Sequence, residues 1–534
     1  MYVSASLALV GLLLLVPNVA FAVGFLQPTA ALAVAAALAL AMAPIVWRGD
    51  WRARPDWRFL AGCVAAALMF SVIGGQGHFF FQADDWTVRD ALLADLVRNP
   101  WPPAYRVDGV DMTMRAPVGL FLGPALVGKM FGVPAADYAL LAQSALLLGL
   151  IVYIFGMTVA DGRHRWLTLG LFFAFSGIDV IPWAVEWIKG RDSTLAPHIE
   201  VWSGFFQFSS PMTVLFWAPH HGFAGWAFAA AYQVWRSGRM PALALCPMWA
   251  LVVIWSPIAA VGAAPFIVFA LAADAFGKRA GGTGVASLWR ALAPRWFVPA
   301  LAAAAGVLPI LVYLTTDSAK VEKDWLLLQD GFLPSYVALV AFEILPFLAL
   351  AWRGRDAGST LARNELVLIG ALLLVIPFYQ IGFANDFASR GSIPALTILA
   401  LRLAEAVARM WNARAAAPVD PALRKARIQM AAYLGLAAIT PAVEIGRNLA
   451  LDAPARSDCT YLDALRSSPF FDSPVGYYVG RADLFAPALF KQAEGAPIEW
   501  KRRKCWKYGE RRFVYGYLKP EVVEAPMKAP ETKP

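Results

Sequence analysis

Charged side chains are scarce in this 534-residue chain: Asp, Glu, Lys and Arg make up 16% of it, against about 25% in a soluble protein. Apolar runs of roughly 20 residues, most of them without charge, fill the difference and exclude an ordinary water-soluble domain. The ten-residue alternation of an outer-membrane barrel is also missing. The runs are therefore read as helices, which pair their own backbone groups inside hydrocarbon. No Gly-rich phosphate loop, Walker pattern or serine nucleophile elbow occurs. ATP-driven transport and serine hydrolysis lose support accordingly. Zinc-protease spacing of histidines is absent, and so is any nucleic-acid module. Finally, no Lys or Arg precedes the first apolar run. Ala20-Phe21-Ala22 imitates a cleavage site, but a signal peptide needs that positive start, so the first run is read as an uncleaved span.

What is present is a series of about 13 candidate spans, near 4–22, 28–47, 59–76, 138–159, 166–187, 214–235, 241–256, 258–275, 297–315, 334–352, 364–383, 393–412 and 427–448. The apolar stretch 117–133 holds Lys129 and two prolines and is read as re-entrant or interfacial. With the N-terminus in the cytoplasm, about twice as many Lys and Arg fall on inner connections as on outer ones. That is the bias the positive-inside rule requires. The net charge of +9 then reports loop topology rather than a nucleic-acid partner. The expected organisation is an all-α polytopic bundle over residues 1–448, with a first large outer loop at 77–137. A small mixed domain on the outer face follows at 449–534, disordered after about 519, where Pro, Lys and Glu dominate.

Of the four cysteines, Cys63 and Cys246 fall inside spans, while Cys459 and Cys505 both fall in the tail. With the tail in an oxidising compartment, Cys459 and Cys505 can form a disulfide; two unrelated thiols is the alternative.

Three stretches carry candidate chemistry. The first follows the third span: Asp84-Asp85-Trp86-Thr87-Val88-Arg89 opens a helical pattern. One aspartate can cap that helix. A cap does not account for two, nor for Arg89 one turn after Asp85. A carboxylate near other acids at a membrane surface can have a raised pKa and act as a base. The second stretch is Asn385-Asp386-Phe387-Ala388-Ser389-Arg390, leading into a span. Arg390 there suits an anion, or it pairs with Asp386 to hold the loop. The third is Trp217-Ala218-Pro219-His220-His221. Two histidines in a span are costly unless they line a cavity. They could bind a polar head group, join His198 or a loop acid on a metal, or be satisfied by carbonyls. Asp179, Glu186 and Glu343 fall within or at the ends of spans, where buried acids are functional candidates. All three stretches, with His78 and His198, fall on one side of the expected topology.

An acidic pair in the first outer loop, followed by an interfacial helix, resembles the glycosyltransferase C (GT-C) superfamily of polytopic membrane enzymes. Asp85-Trp86, Trp101-Pro102, Pro219-His220-His221 and Asn385-Asp386-Phe387 with Arg390 to Pro394 also look like stretches in a group of bacterial membrane proteins of that superfamily. The resemblance covers residues 1 to about 450 in layout and a few dozen residues in motif. It implies a GT-C-like fold and a sugar transfer from a polyprenyl-phosphate-linked donor to a lipid, glycan or protein acceptor, on the outer face of a bacterial inner membrane. Asp85, or failing it Asp84, would be the base. Arg390, with Arg89 as helper, would stabilise the leaving phosphate, and His220, His221 and Asp386 would bind donor phosphate or sugar. A divalent metal on Asp84, Asp85 and a histidine is compatible but not demanded. Here the acids are adjacent rather than separated by a residue, which leaves the catalytic one open. Two other classes stay in play: a lipid or glycan transporter or flippase, given Pro247, Pro257 and Pro265 interrupting consecutive spans, and a non-catalytic assembly subunit. A scaffold would tolerate loss of the aspartates.

Overall fold

A computed structural model of the chain describes residues 2–159, 164–189, 198–276, 294–382, 385–412, 421–454, 456–467, 475–501, 503 and 505. The segment expected to be disordered after 519 lies outside the described residues. The chain opens with α1 (Val3–Phe25), α2 (Pro28–Trp47) and α3 (Trp57–Ile73). A first loop carries α4 (Asp85–Arg98), the hairpin strands β1 (Ala104–Val107) and β2 (Val110–Met114), and α5 (Gly119–Phe131). Next come α6 (Val133–Val159), α7 (Arg165–Ala174), α8 (Val180–Ile188), α9 (Pro211–Trp217), α10 (Pro219–Arg236), α11 (Leu245–Val252), α12 (Pro257–Phe276) and α13 (Pro294–Thr315). The last third holds β3 (Lys323–Trp325), α14 (Phe332–Leu339), α15 (Leu345–Gly354), α16 (Thr360–Val375), β4 (Tyr379–Ile381), α17 (Asp386–Gly391), α18 (Ile393–Asn412), α19 (Pro421–Ala437) and α20 (Ile439–Ala450). The tail adds α21 (Tyr461–Arg466), α22 (Val475–Tyr478), β5 (Val479–Arg481) and β6 (Ile498–Glu499).

Nine helices among the described residues are long and apolar enough to cross a membrane, which is the architecture of an all-α polytopic membrane protein. The other four expected spans depart from that description. The stretch 166–187 is broken into α7 and α8, because the chain leaves the helix at Phe175 and runs non-helically to Asp179. Buried Asp179 accepts from Ser176 Oγ (2.8 Å) and from Thr440 Oγ1 (2.9 Å) on α20. The stretch 214–235 is broken at Ala218, since Pro219 cannot continue α9 and instead starts α10. At 241–256, α11 ends at Val252 and is too short to cross by itself. At 17 residues α3 is marginal. Proline also shapes two longer helices. Pro346 withholds an N–H just after the π-helical turn Val340–Ile344 that carries Glu343, and Pro441 follows the break at Ala438 between α19 and α20.

At the centre stands α10, buried from Pro219 to Trp235 and packed against α6, α11, α12 and α18. A helix buried on every side is the core of a large bundle rather than an amphipathic surface element. Its far end, about 24 Å from His220 by helical rise, closes a charged network. Arg236 donates to Glu365 on α16 (Nε, 3.1 Å) and to Glu405 on α18 (Nη1, 2.8 Å). Arg402 donates to Glu405 (2.8 Å) and to Gln233 Oε1 (2.6 Å).

Two strands of the tail join the first-loop hairpin. Strands β5, β2, β1 and β6 form one sheet in that order. In it β5 runs antiparallel to β2 and β6 parallel to β1. The tail also binds the α1–α2 turn, with Gln27 N donating to Leu489 O (3.0 Å) and Lys491 N to Phe25 O (2.9 Å). The hairpin edges would be exposed without these strands, which is why loop and tail fold together. Cys459 and Cys505 are joined by a disulfide.

Candidate functional site

Helix α4 starts where the first loop leaves α3, and its position is fixed by Trp86, whose indole N–H donates to Phe216 O at the end of α9 (2.7 Å). That bond sets the acidic pair beside the α9–α10 break, where the histidines sit. Neither aspartate caps the helix through its side chain, contrary to the simpler expectation. Asp85 instead accepts from Arg89 (Oδ2 to Nη2, 2.9 Å). The Asp84 side chain has no hydrogen-bond or ion-pair partner among the described residues. Burial and the adjacent Asp85 push the Asp84 carboxyl up to about 6, against the opposing pull of Arg447.

Arg89 is 8% exposed, and its Nε and Nη1 are buried without a partner among the described residues. His220 and His221 open α10 with rings 3.8 Å apart. His221 Nδ1 is 2.7 Å from Ser256 Oγ, whereas buried His220 Nδ1 has no partner among the described residues. Both imidazoles lie within reach of the charges of Arg89 and Arg390.

Asn385 adopts a left-handed φ of 48°. Its side chain ties the next turn down, with Oδ1 accepting from Ala388 N (3.2 Å) and Nδ2 donating to Phe205 O (2.7 Å). Ala384, the residue before this motif, lies outside the described residues. On α17, Arg390 pairs with Asp386 at 2.8 Å, and both lie near Asp85. The end of α17 rests backbone to backbone on α12: a Cβ at Gly262 would overlap the Gly391 carbonyl oxygen. The Gly262→Ala variant is therefore expected to lose about 1–3 kcal/mol. Thermal unfolding would show a lower Tm, and displacement of the Asp386–Arg390 turn would lower activity per folded molecule.

The structure thus brings Asp85, Arg89, His220, His221, Asp386 and Arg390 into one neighbourhood, with Asp84 at its edge. It does not bring in the other candidates. His78 Nε2 faces Asp90 and Asp137, at 3.6 Å each, and Glu186 pairs with Lys189 at 2.9 Å. His198 joins a second network below Asp84. It bonds Glu444 (3.0 Å), which also accepts from Trp217 Nε1 (2.9 Å) and pairs with Arg447. Glu343 accepts from Trp202 Nε1 (2.9 Å) and shares a side-chain hydrogen bond with Asp179. Among the described residues no group of three His, Cys, Asp or Glu side chains is placed to hold a metal ion. The histidines face arginines instead, so the arrangement of Asp84, Asp85 and a histidine around a metal is not formed.

Sequence reasoning overlooked Glu444 and Arg447, though paired ionisable residues inside a span were a usable signal. It also overlooked Tyr478, which borders Arg390, Asp386, Asp85 and Arg89. No local pattern marks Tyr478, because its place depends on strand pairing across hundreds of residues. Compared with family models, curated proteins and solved structures, the chain has no match.

Proposed function

We propose that this chain is a membrane glycosyltransferase that moves a sugar from a polyprenyl-phosphate-linked donor to an acceptor hydroxyl. The reading places the site on the outer face of a bacterial inner membrane, with the N-terminus cytoplasmic and the tail periplasmic. The observation that carries it is the buried guanidinium of Arg89. Two of its three nitrogens lack a partner among the described residues, beside the equally unpartnered His220 Nδ1. Buried donors without partners are costly, and a phosphate oxygen is the acceptor that suits such a fork. The Cys459–Cys505 pair supports an oxidising location for the tail.

In this reaction the acceptor oxygen attacks the anomeric carbon and its proton passes to a carboxylate. The anomeric C–O bond to the phosphate breaks, and the polyprenyl phosphate leaves with the extra negative charge. Arg89 and Arg390 meet that charge as it develops. Asp84, unpaired and near neutrality, suits the proton acceptor; Asp85 orients Arg89.

The test is titration of a polyprenyl-phosphate hexose into the protein in lipid nanodiscs, read by native mass spectrometry. Arg89→Gln should weaken binding roughly 10- to 100-fold without lowering Tm. Equal affinity in the variant would overturn the reading. One observation favours a second reading: the breaks at Phe175 and Ala218, with the Asp179–Glu343 pair beside the first, are features a transporter would use. Passage of intact donor across a proteoliposome membrane without release of polyprenyl phosphate would select it.

A further inference from the structure

We infer that the C-terminal tail is a working part of the site: it delivers Tyr478 to Arg390 as a positioning residue, and the Cys459–Cys505 disulfide makes that delivery redox-dependent. The inference rests on the transferase reading for its ligand, but its geometry stands separately.

Strand β5 lies on β2 in the register Met112–Arg481, Thr113–Gly480 and Met114–Val479. Arg115, the next residue, then binds the chain that leads into β5. Its N–H donates to Tyr478 O (2.8 Å), while Nη2 donates to Gly476 O (2.6 Å) and Tyr477 O (3.0 Å). Nη1 reaches Leu314 O at the end of α13 (3.1 Å). A buried guanidinium spent on main-chain carbonyls of two distant segments fixes the 476–478 turn against the bundle. The fixed turn places the Tyr478 hydroxyl within hydrogen-bonding reach of Arg390, opposite Asp386. Arg390 is thereby held from two sides. On its other flank the Tyr478 ring packs 6.1 Å from that of Tyr461. Tyr461 N in turn donates to Asp95 Oδ2 on α4 (2.9 Å).

The disulfide lies behind the same helix. Cys459 and Cys505 pack with Ala464 against Ala91 and Val88 of α4, next to Arg89. The bridge spans 46 residues and encloses Tyr461, Tyr478, β5 and β6. Transfer of two electrons and two protons from a dithiol would open it to two thiols, the dithiol closing to its own disulfide. The enclosed segment would then lose its covalent closure, keeping only its strand pairing and the Arg115 bonds, and would recover chain freedom that the bridge removes.

Two measurements on the full chain in nanodiscs separate this inference from the reading beneath it. The first needs no ligand: amide hydrogen exchange with and without a dithiol. Reduction should speed exchange at 475–481 and at 386–391, while α10 stays protected. Unchanged exchange at both segments would overturn the redox dependence. The second is binding of a polyprenyl monophosphate to the Tyr478→Phe variant, which keeps the ring and removes the hydroxyl. Affinity should fall about tenfold, with Tm unchanged and the response to an uncharged polyprenol unchanged. Equal affinity in wild type and variant would overturn the positioning role. If wild type itself binds no polyprenyl monophosphate, the transferase reading fails, and the exchange result still decides whether the tail closes on the site.

Discussion

Replacing Asp84 by Asn is expected to reduce sugar transfer about 100- to 10,000-fold, the range in which a general base contributes, while leaving donor binding nearly intact. The two neighbouring aspartates stand in different circumstances. Asp85 is committed to Arg89 at 2.9 Å, so Asp85→Asn should loosen Arg89 and raise KM as well as lower kcat. Asp84 has no such commitment, and its carboxyl sits at about 6 through burial and the charge of Asp85. A base must be unprotonated to work. Below pH 6 the active fraction should fall tenfold per unit, and above it the rate should level off. The pH profile of kcat/KM checks the assignment: in the Asp84→Asn enzyme the residual rate should lose this acid limb. A profile that keeps the limb in Asp84→Asn and loses it in Asp85→Asn would exchange the two roles. Tolerance of both substitutions would point to the assembly-subunit alternative.

The second large effect lies at the opposite end of the bundle. Glu405→Leu is expected to cost about 3–5 kcal/mol, because it strands buried cations. Glu405 receives Arg236 at 2.8 Å and Arg402 at 2.8 Å, with Arg409 at 3.5 Å. Glu365 alone would then face Arg236 and Arg402. Removing Arg236 together with Glu405, as Arg236→Met with Glu405→Leu, should recover much of the loss, since a deleted pair leaves less charge unmatched. Thermal unfolding of the single and double variants in nanodiscs measures the coupling. Additive losses would show that the arginines are not held by Glu405. Activity per folded molecule should be unaffected, since the network is far from Arg89.

How much of this could be read from the residues divides along physical lines. Apolar runs such as 3–25 and 133–159 announce their helices, since length and composition alone decide them. The breaks were also written locally, in Ser176-Gly177 before Asp179 and in Ala218-Pro219, but an averaged hydropathy window runs over them. The acidic pair, the histidine pair and the Asp386–Arg390 turn share a neighbourhood that no one stretch of sequence announces. By contrast, the partner of Asp85 was one helical turn away and visible, whereas the partners of Arg115 were not. The bond from Arg115 to Gly476 closes a separation of 361 residues, and nothing near residue 115 specifies it. The tail was expected as a small mixed domain, and nothing in its residues names β1 and β2 as the strands it pairs with.

That sheet also dictates an order of manufacture. Strands β1 and β2 emerge early in synthesis, but both of their outer neighbours lie beyond the last membrane helix. At about 5–20 residues per second, the 361 residues between Arg115 and Gly476 take roughly 20–70 s to make. Throughout that interval the hairpin waits with both edges open, and Arg115 has none of the three tail carbonyls, of Gly476, Tyr477 and Tyr478, to bind. A nascent chain, or one cut short by premature termination, can therefore insert most of its helices yet hold an unfinished centre. Residues 479–481 and 498–499 supply the two missing strands, so the sheet closes only after they have been made.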